Sequence, residues 1–280
     1  MTISDWLNRA KARLTDSGCP DPDIDARWIA EDALGMTRQE LLFESDRAID
    51  HGQLAKLESM LDRRCAGEPV QYVLASADFM GLRFQVTHDV LIPRQDTELL
   101  AESALIDLRQ RPGTPDFLDL CAGSGCVGLS VASLAPHVSV TLSDISREAL
   151  EVARRNAREL GVKADIRHGD LFDAVGRQRF DVIACNPPYI PTADLDGLQR
   201  EVRFEPRLAL DGGADGLDFY RRIAEGVWDH LKPGGALYLE VGIDEAAPVE
   251  ALLRADPRCA ETGRKKDLNG IDRVVWCGMQ

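Results

Sequence analysis

Apolar positions change their spacing three times along the chain. Up to about residue 66 they recur as on amphipathic helices. Trp6, Leu7, Ala10 and Leu14 share one face before a turn at Gly18-Cys19-Pro20. Ile24, Ala26, Trp28, Ile29 and Leu34 mark a second helix that stops at Gly35. Thr37 is placed to cap a short third helix carrying Leu41 and Leu42, and Leu54, Leu57, Met60 and Leu61 mark a fourth. This stripe of Trp and Leu predicts a small helical core. From Val70 to Pro93 the runs turn strand-like, separated by Met80-Gly81 and His88-Asp89, which predicts a β-hairpin linker. Leu99, Leu100, Ala104, Leu105 and Leu108 then resume helical spacing until Arg111-Pro112-Gly113-Thr114-Pro115.

Beyond Asp116 strand and helix alternate. Strand-like runs are 116–121, 138–143, 164–168, 180–185, 236–241 and 273–277, and the clearest helices between them are 148–160 and 219–231. Such alternation predicts an α/β fold with a mostly parallel, doubly wound sheet covered on both faces. Ligands of such sheets bind at the carboxyl ends of the strands. Three regions are expected: helices over 1–66, a hairpin linker over 67–95 and the α/β domain over 96–280. By analogy, a small bundle ahead of an enzyme domain recognises substrate.

Composition narrows the function classes. Hydrophobic residues make up 44% and charged residues 29%, which supplies an ordinary globular core. The net charge of −14 repels phosphate backbone and counts against non-specific nucleic-acid binding. Seven cysteines with no CxxC pair and no Cys/His ligand cluster argue against a disulfide framework and a metal site. Most of them lie in apolar runs and are expected to be core thiols. Asp5 interrupts the stretch where a signal peptide would be apolar, and no apolar run is long enough to span a bilayer, so a cytoplasmic protein is expected.

Chemistry concentrates in two strand-end loops. The first runs Asp119-Leu120-Cys121-Ala122-Gly123-Ser124-Gly125, with Gly128 three residues on and Asp144 ending the next strand 19 residues after Gly125. Glycines let a ligand approach the backbone, and an acid at Asp144 can accept from both hydroxyls of a ribose. A nicotinamide dinucleotide and S-adenosyl-L-methionine both fit, as does a plain tight turn with Asp144 as a helix cap. Asp119 favours S-adenosyl-L-methionine, because a pyrophosphate at a helix N-terminus is repelled by a nearby anion while a methionine ammonium is attracted.

The second loop is Asn186-Pro187-Pro188-Tyr189. Two prolines hold the backbone rigid and remove two N–H donors, leaving the Asn186 side-chain oxygen and the Pro187 carbonyl as acceptors beside an aromatic ring. That set suits a planar –NH2 group: two fixed acceptors take its hydrogens while Tyr189 packs over the plane. Orienting the nitrogen lone pair raises its effective concentration, and the acceptors stabilise positive charge developing on nitrogen.

Asp119–Gly125, Asp144 and NPPY together resemble the class I S-adenosylmethionine-dependent methyltransferases that act on amide or exocyclic amino nitrogens. GEPVQYVL (67–74), VLIPRQDTELL (90–100), NPPYIP (186–191), FEPRLALDGGADGLDFYRRI (204–223), LKPGG (231–235) and GRKKDLNGIDRVV (263–275) narrow the likeness. They resemble the peptide chain release factor glutamine methyltransferases, of the protein-(glutamine-N5) methyltransferase family, over nearly all of 67–277. The ribosomal-protein glutamine methyltransferases share NPPY but usually depart from DTELL.

The resemblance implies a Rossmann-like sheet with an antiparallel last strand pair, behind a small helical domain and hairpin. It implies that Cys121, Ala122, Gly123, Ser124 and Gly125 wrap the methionine part of the cofactor and Asp144 holds the ribose. Leu171 would lie against the adenine, Asn186 would touch cofactor and substrate, and Asn186, Pro187, Pro188 and Tyr189 would grip a glutamine amide. Asn186, Pro187 and Tyr189 are thus the expected catalytic residues. The implied partner is a bacterial-type release factor offering its GGQ loop, with no membrane, no direct nucleic acid and a monomeric enzyme. Gln95, Leu171 and Cys121-Ala122 depart from the usual proline, tryptophan and Gly-Thr. Three rival functions besides the ribosomal-protein enzyme are an adenine-N6 nucleic-acid methyltransferase, an NAD(P)-dependent oxidoreductase that leaves NPPY unexplained, and a binding-only module.

Overall fold

Local capping starts the N-terminal helices. Thr2 and Asp5 form a capping box at α1 (Ile3–Asp16), and Pro22 opens α2 (Pro22–Leu34), which Gly35 ends in the left-handed region. Thr37 with Glu40 opens α3 (Arg38–Phe43), and Asp50 with Gln53 opens α4 (His51–Cys65). Trp6, Leu14, Ile29, Leu57 and Leu61 are fully buried between these helices. Two expected core markers of α2 and one of α3 are not core: Ile24, Trp28 and Leu42 are exposed, because Ala26, Ile29 and Ala30 form the inward stripe of α2.

A computed structural model describes all residues 1–280. It divides them into two compact units, Met1–Ser76 with Gln199–Phe204, and Ala77–Leu198 with Glu205–Gln280. The first unit therefore extends past residue 66. Val70–Leu74, expected as strand, is a short helix, α5. Arg63 holds the segment in that form: its guanidinium donates to the carbonyl of Tyr72 (3.0 Å), which also accepts from Ala75 N–H, and to that of Val73 (3.4 Å). Arg64 is buried and donates from Nε to Asp25 (2.6 Å) and from Nη2 to Glu201 (2.5 Å), so the 199–204 segment is an integral part of this unit.

A hairpin shorter than expected follows, β1 (Ser76–Phe79) and β2 (Leu82–Gln85), which from Ala77 on belongs to the second unit. Met80 and Gly81 both have positive φ, the turn whose twist matches paired strands. Then follow α6 (Gln95–Gln110), β3 (Asp116–Leu120), α7 (Cys126–Leu134), β4 (Ser139–Asp144), α8 (Arg147–Leu160), β5 (Asp165–His168), β6 (Phe180–Cys185), α9 (Asp218–Gly226), β7 (Leu231–Glu240), α10 (Ala246–Arg254), β8 (Cys259–Lys266) and β9 (Asp272–Met279). The sheet order is β5-β4-β3-β6-β7-β9-β8, parallel as far as β7 and antiparallel for β9 and β8.

Side chains alternate between the two faces of this sheet. Phe117, Val182, Ala184 and Tyr238 pack with α6, α7 and α8, whereas Leu118, Leu120, Ile183 and Leu239 pack with α9 and α10. Of the seven cysteines, only Cys126, Cys185 and Cys277 are fully buried; the other four lie near element ends and are half-buried. No helix is long and apolar enough to cross a membrane.

Candidate active site

Register brings the site together. Ser143 pairs with Leu120, Leu120 with Cys185, and Cys185 with Leu239, across four neighbouring parallel strands. One residue further along stand Asp144, Cys121, Asn186 and Glu240, in a row along the carboxyl edge of the sheet. A cavity of about 160 Å³ opens there, lined by Asp119, Cys121, Ala122, Gly123, Ser124, Asp144, Leu171, Asn186 and Pro188. Gly125 lies just beneath it as the N-cap of α7. Pro187 is buried and Tyr189 half-buried, and neither lines the cavity. Tyr189 turns its ring toward Gly242, where an added Cβ would meet it at 3.1 Å.

The glycine loop is tied down by both acids. Cys121 (φ 62°) and Gly123 (φ 55°) fold the chain back after β3. For cysteine that conformation costs on the order of 1–3 kcal/mol, a strain characteristic of functional loops. Gly123 N–H donates to Asp144 Oδ2 at 2.8 Å, and Gly128 N–H donates to Asp119 Oδ2 at 2.8 Å. Ser146 N–H donates to the other Asp144 oxygen at 2.8 Å. Each carboxylate oxygen keeps a second lone pair, so the clasp leaves acceptors available. A Cβ on Gly123 would meet nothing within 4 Å, whereas one on Gly128 would sit 3.0 Å from Asp119 and Leu142. Gly128 is therefore a close-packing glycine, and Gly123 leaves open space.

Burial governs the charges. Asp119 is 2% exposed, and burial pushes its carboxyl up to about 7 against the opposing Gly128 N–H. Burial also raises Asp144, with the backbone N–H groups of Ser146 and Gly123 opposing it. The Ser143 hydroxyl lines the same cavity, buried and without a partner.

The cavity's remaining wall comes from residues that motif reading passes over. Val90, Pro93 and Arg94 face it together with Pro206, Leu208 and Ala209. Glu205 clasps the two segments, accepting from Ile92 N–H (3.0 Å) and pairing with Arg94. Phe219 and Arg222 close another side, Arg222 paired with Asp170 at 2.7 Å. Asn186 Nδ2 donates to Thr97 Oγ1 at 3.3 Å, which leaves Oδ1 clear of that bond. Glu240, 3% exposed, faces Thr97 and Asn186, and burial pushes its carboxyl up to about 7. The signal for Glu240 is an acid inside the apolar run ALYLEV; Thr97 stands in the DTELL run with nothing to mark its side chain.

Known proteins supply the remaining context. Residues 5–74 match the PrmC N-terminal domain and residues 97–199 the methyltransferase small domain. The chain is 42% identical to a release factor glutamine methyltransferase of Geobacter sulfurreducens, covering 98% of this chain and 95% of that protein. Its counterpart in Caulobacter vibrioides is also 42% identical, with 98% and 96% covered. Among solved structures, a methyltransferase from Pyrococcus furiosus matches with a TM-score of 0.52 at 19% identity, covering 71% of this chain and 90% of that one. The Thermus thermophilus 16S rRNA N2 G1207 methyltransferase, solved with AdoMet and guanosine, matches at 0.53 and 18%, covering 73% and 50%. These two likenesses speak for the methyltransferase fold alone. The full-length relatives settle the family: this chain belongs to the release factor glutamine methyltransferases.

Proposed function

We propose that this chain transfers a methyl group from S-adenosyl-L-methionine to the side-chain amide nitrogen of the glutamine in the GGQ motif of bacterial-type peptide chain release factors. One observation carries the reading. The strained glycine loop, Asp144 and Asn186 stand side by side on adjacent strand ends and line one cavity.

The residues present fit the cofactor. The partnerless Ser143 hydroxyl and the spare acceptor sites of buried Asp119 and half-buried Asp144 give this cavity polar groups for a ligand, and the open space at Gly123 leaves room for it. When bound, S-adenosyl-L-methionine supplies a methyl group on a cationic sulfur. Asp119 then complements the methionine ammonium, Cys121 to Gly125 follow the methionine backbone, Asp144 accepts from the ribose, and Leu171 offers an apolar wall to the adenine.

Asn186 Oδ1 and the Pro187 carbonyl accept the two amide hydrogens of the glutamine and hold its nitrogen in one orientation. As that nitrogen becomes cationic its protons become acidic, so no strong base is required before transfer. Pro188 narrows the cavity beside Asn186. Tyr189, whose ring reaches Gly242, packs over the plane of the amide and completes the grip. In this reading the enzyme works as a monomer in the cytoplasm, on a protein rather than a nucleic acid, and the helices of residues 1–66 dock the release factor.

Mass spectrometry of a purified release factor after incubation with isotopically labelled S-adenosyl-L-methionine tests the proposal. Label on the GGQ glutamine is the expected result. Label on a ribosomal protein or on adenine, with none on the release factor, overturns it.

A further inference from the structure

We propose that Glu240 is a positioning residue that sets which way the Asn186 carboxamide faces, acting on it directly and through the Thr97 hydroxyl. The proposal rests on the reading of Asn186 as the acceptor for the substrate amide. A carboxamide is nearly symmetric in shape, so packing alone does not choose between its oxygen and its nitrogen. The choice has to come from hydrogen-bond polarity.

Asn186 and Glu240 occupy adjacent positions, one step beyond the Cys185–Leu239 pair. Both fall on the face of the sheet covered by α6, whose first turn carries Thr97. Thr97 is buried and its Oγ1 accepts from Asn186 Nδ2 at 3.3 Å. Having accepted that bond, the hydroxyl directs its own hydrogen elsewhere, and the Glu240 carboxylate is the acceptor that faces both it and the Asn186 carboxamide. An ionised carboxylate only accepts, so both routes run one way: Asn186 N–H to Glu240, and Asn186 N–H to Thr97 O–H to Glu240. Asn186 Oδ1 is then left for the substrate. Glu240 Oε2 is buried with no hydrogen-bond partner, a costly arrangement that calls for an explanation.

A protonated Glu240 becomes a donor and removes the directionality. The other groups facing it are Asp96 on α6, Arg273 on β9, Tyr189 after β6, Tyr220 on α9 and Cys126 on α7. Tyr220 donates to the backbone carbonyl of Glu240 at 2.9 Å, so it fixes the strand and not the carboxyl.

The experiment compares wild type with Glu240→Gln, Thr97→Val and Thr97→Ser at saturating cofactor. Glu240→Gln keeps size and an acceptor but can also donate, so kcat should fall by about tenfold or more, as when an outer partner of a reacting group is changed. Cofactor affinity by calorimetry should hold. Thr97→Val, which leaves the direct contact between Asn186 and Glu240, should lose less, the double variant should add little to Glu240→Gln, and Thr97→Ser should keep the wild-type rate. Wild-type kcat should rise with pH through about 7 and the Gln variant should lose that step. A substrate-free readout separates this inference from the reading beneath it. With asparagine-selective 15N labelling, the Asn186 side-chain signals should titrate near pH 7 in wild type and not in Glu240→Gln. Insensitive signals, or a fully active Glu240→Gln with an unchanged pH profile, overturn the positioning role. Titrating signals in an enzyme that leaves release factors unmethylated uphold it and overturn the substrate instead.

Discussion

Asp119 carries a proton in the folded protein over a pH range where it would have lost it in the unfolded chain. Its ordinary value is 3.8 and burial pushes it up to about 7, so the folded state binds more protons between those limits. Stability therefore falls as pH rises through that window, and Asp119→Asn should flatten the slope, with Glu240 supplying what remains. A cationic methionine moiety reverses the preference and favours the ionised acid. Cofactor binding at pH 6 should release close to one proton from wild type and none at this site from Asp119→Asn. Calorimetry in two buffers of different ionisation enthalpy measures this, and equal enthalpies for the wild type would exclude Asp119 as the ammonium partner. Asn186 makes the complementary prediction for the chemical step. Asn186→Ala removes one of two acceptors for the developing positive charge, so kcat should drop by ~10²–10³ at saturating cofactor, as for a lost oxyanion-hole donor. A rate within a few-fold of wild type in a methylation time course would exclude that acceptor.

Elements place these residues, and Gly128 shows how tightly. It lies in the first turn of α7, where a Cβ would stand 3.0 Å from Asp119 Cβ and Oδ2 and from Leu142 Cγ. Alanine improves helix propensity by about 1 kcal/mol, but crowding a packed site costs about 1–3 kcal/mol. Gly128→Ala should therefore lose about 1 kcal/mol, lower Tm by ~2–4 °C and weaken cofactor binding by displacing Asp119. A Tm at or above wild type would show that the neighbours relax freely. The glycine loop, Asp144 and NPPY were legible because each lies at a strand end and offers residues with a common chemical purpose, whereas Leu171 came only from the family resemblance. Helices α1 to α4 were legible from their caps and stripes. Val70–Leu74 was not, because its β-branched and aromatic residues favour a strand and the helix depends on Arg63, which precedes it. Cys259–Lys266 was missed as a strand because it is a sheet edge: Glu261, Arg264 and Lys266 replace the apolar alternation, as edges that resist further pairing do. Nothing in the sequence gave Glu205 or Glu240 a role of its own, because only the folded chain supplies the groups that face them.

At the scale of the whole molecule, the chain leaves the second unit after Leu198 and returns at Glu205, lending six residues to the helical one. The tie is ionic and buried. Arg64 holds Asp25 and Glu201, with Asp25 itself only 4% exposed. Arg64→Ala strands Asp25 without its cation, and breaking such a pair costs ~3–5 kcal/mol. The loss falls on Met1–Ser76 and Gln199–Phe204, whereas every residue lining the cavity lies within 89–222 and in the other unit. The helical unit should therefore unfold at lower denaturant in this variant while cofactor binding persists. The tryptophans report the two units separately: Trp6 and Trp28 lie in the first, Trp228 and Trp276 in the second. Urea titrations of variants retaining one pair or the other should show coincident transitions with Arg64 present and separated ones after its replacement, the first pair moving to lower urea. If the helices dock the release factor, methylation of the intact factor should fall at urea concentrations where cofactor binding is still complete. One shared transition in Arg64→Ala, or cofactor binding lost together with the first pair's signal, would show instead that the helical unit and the cofactor site fold as one.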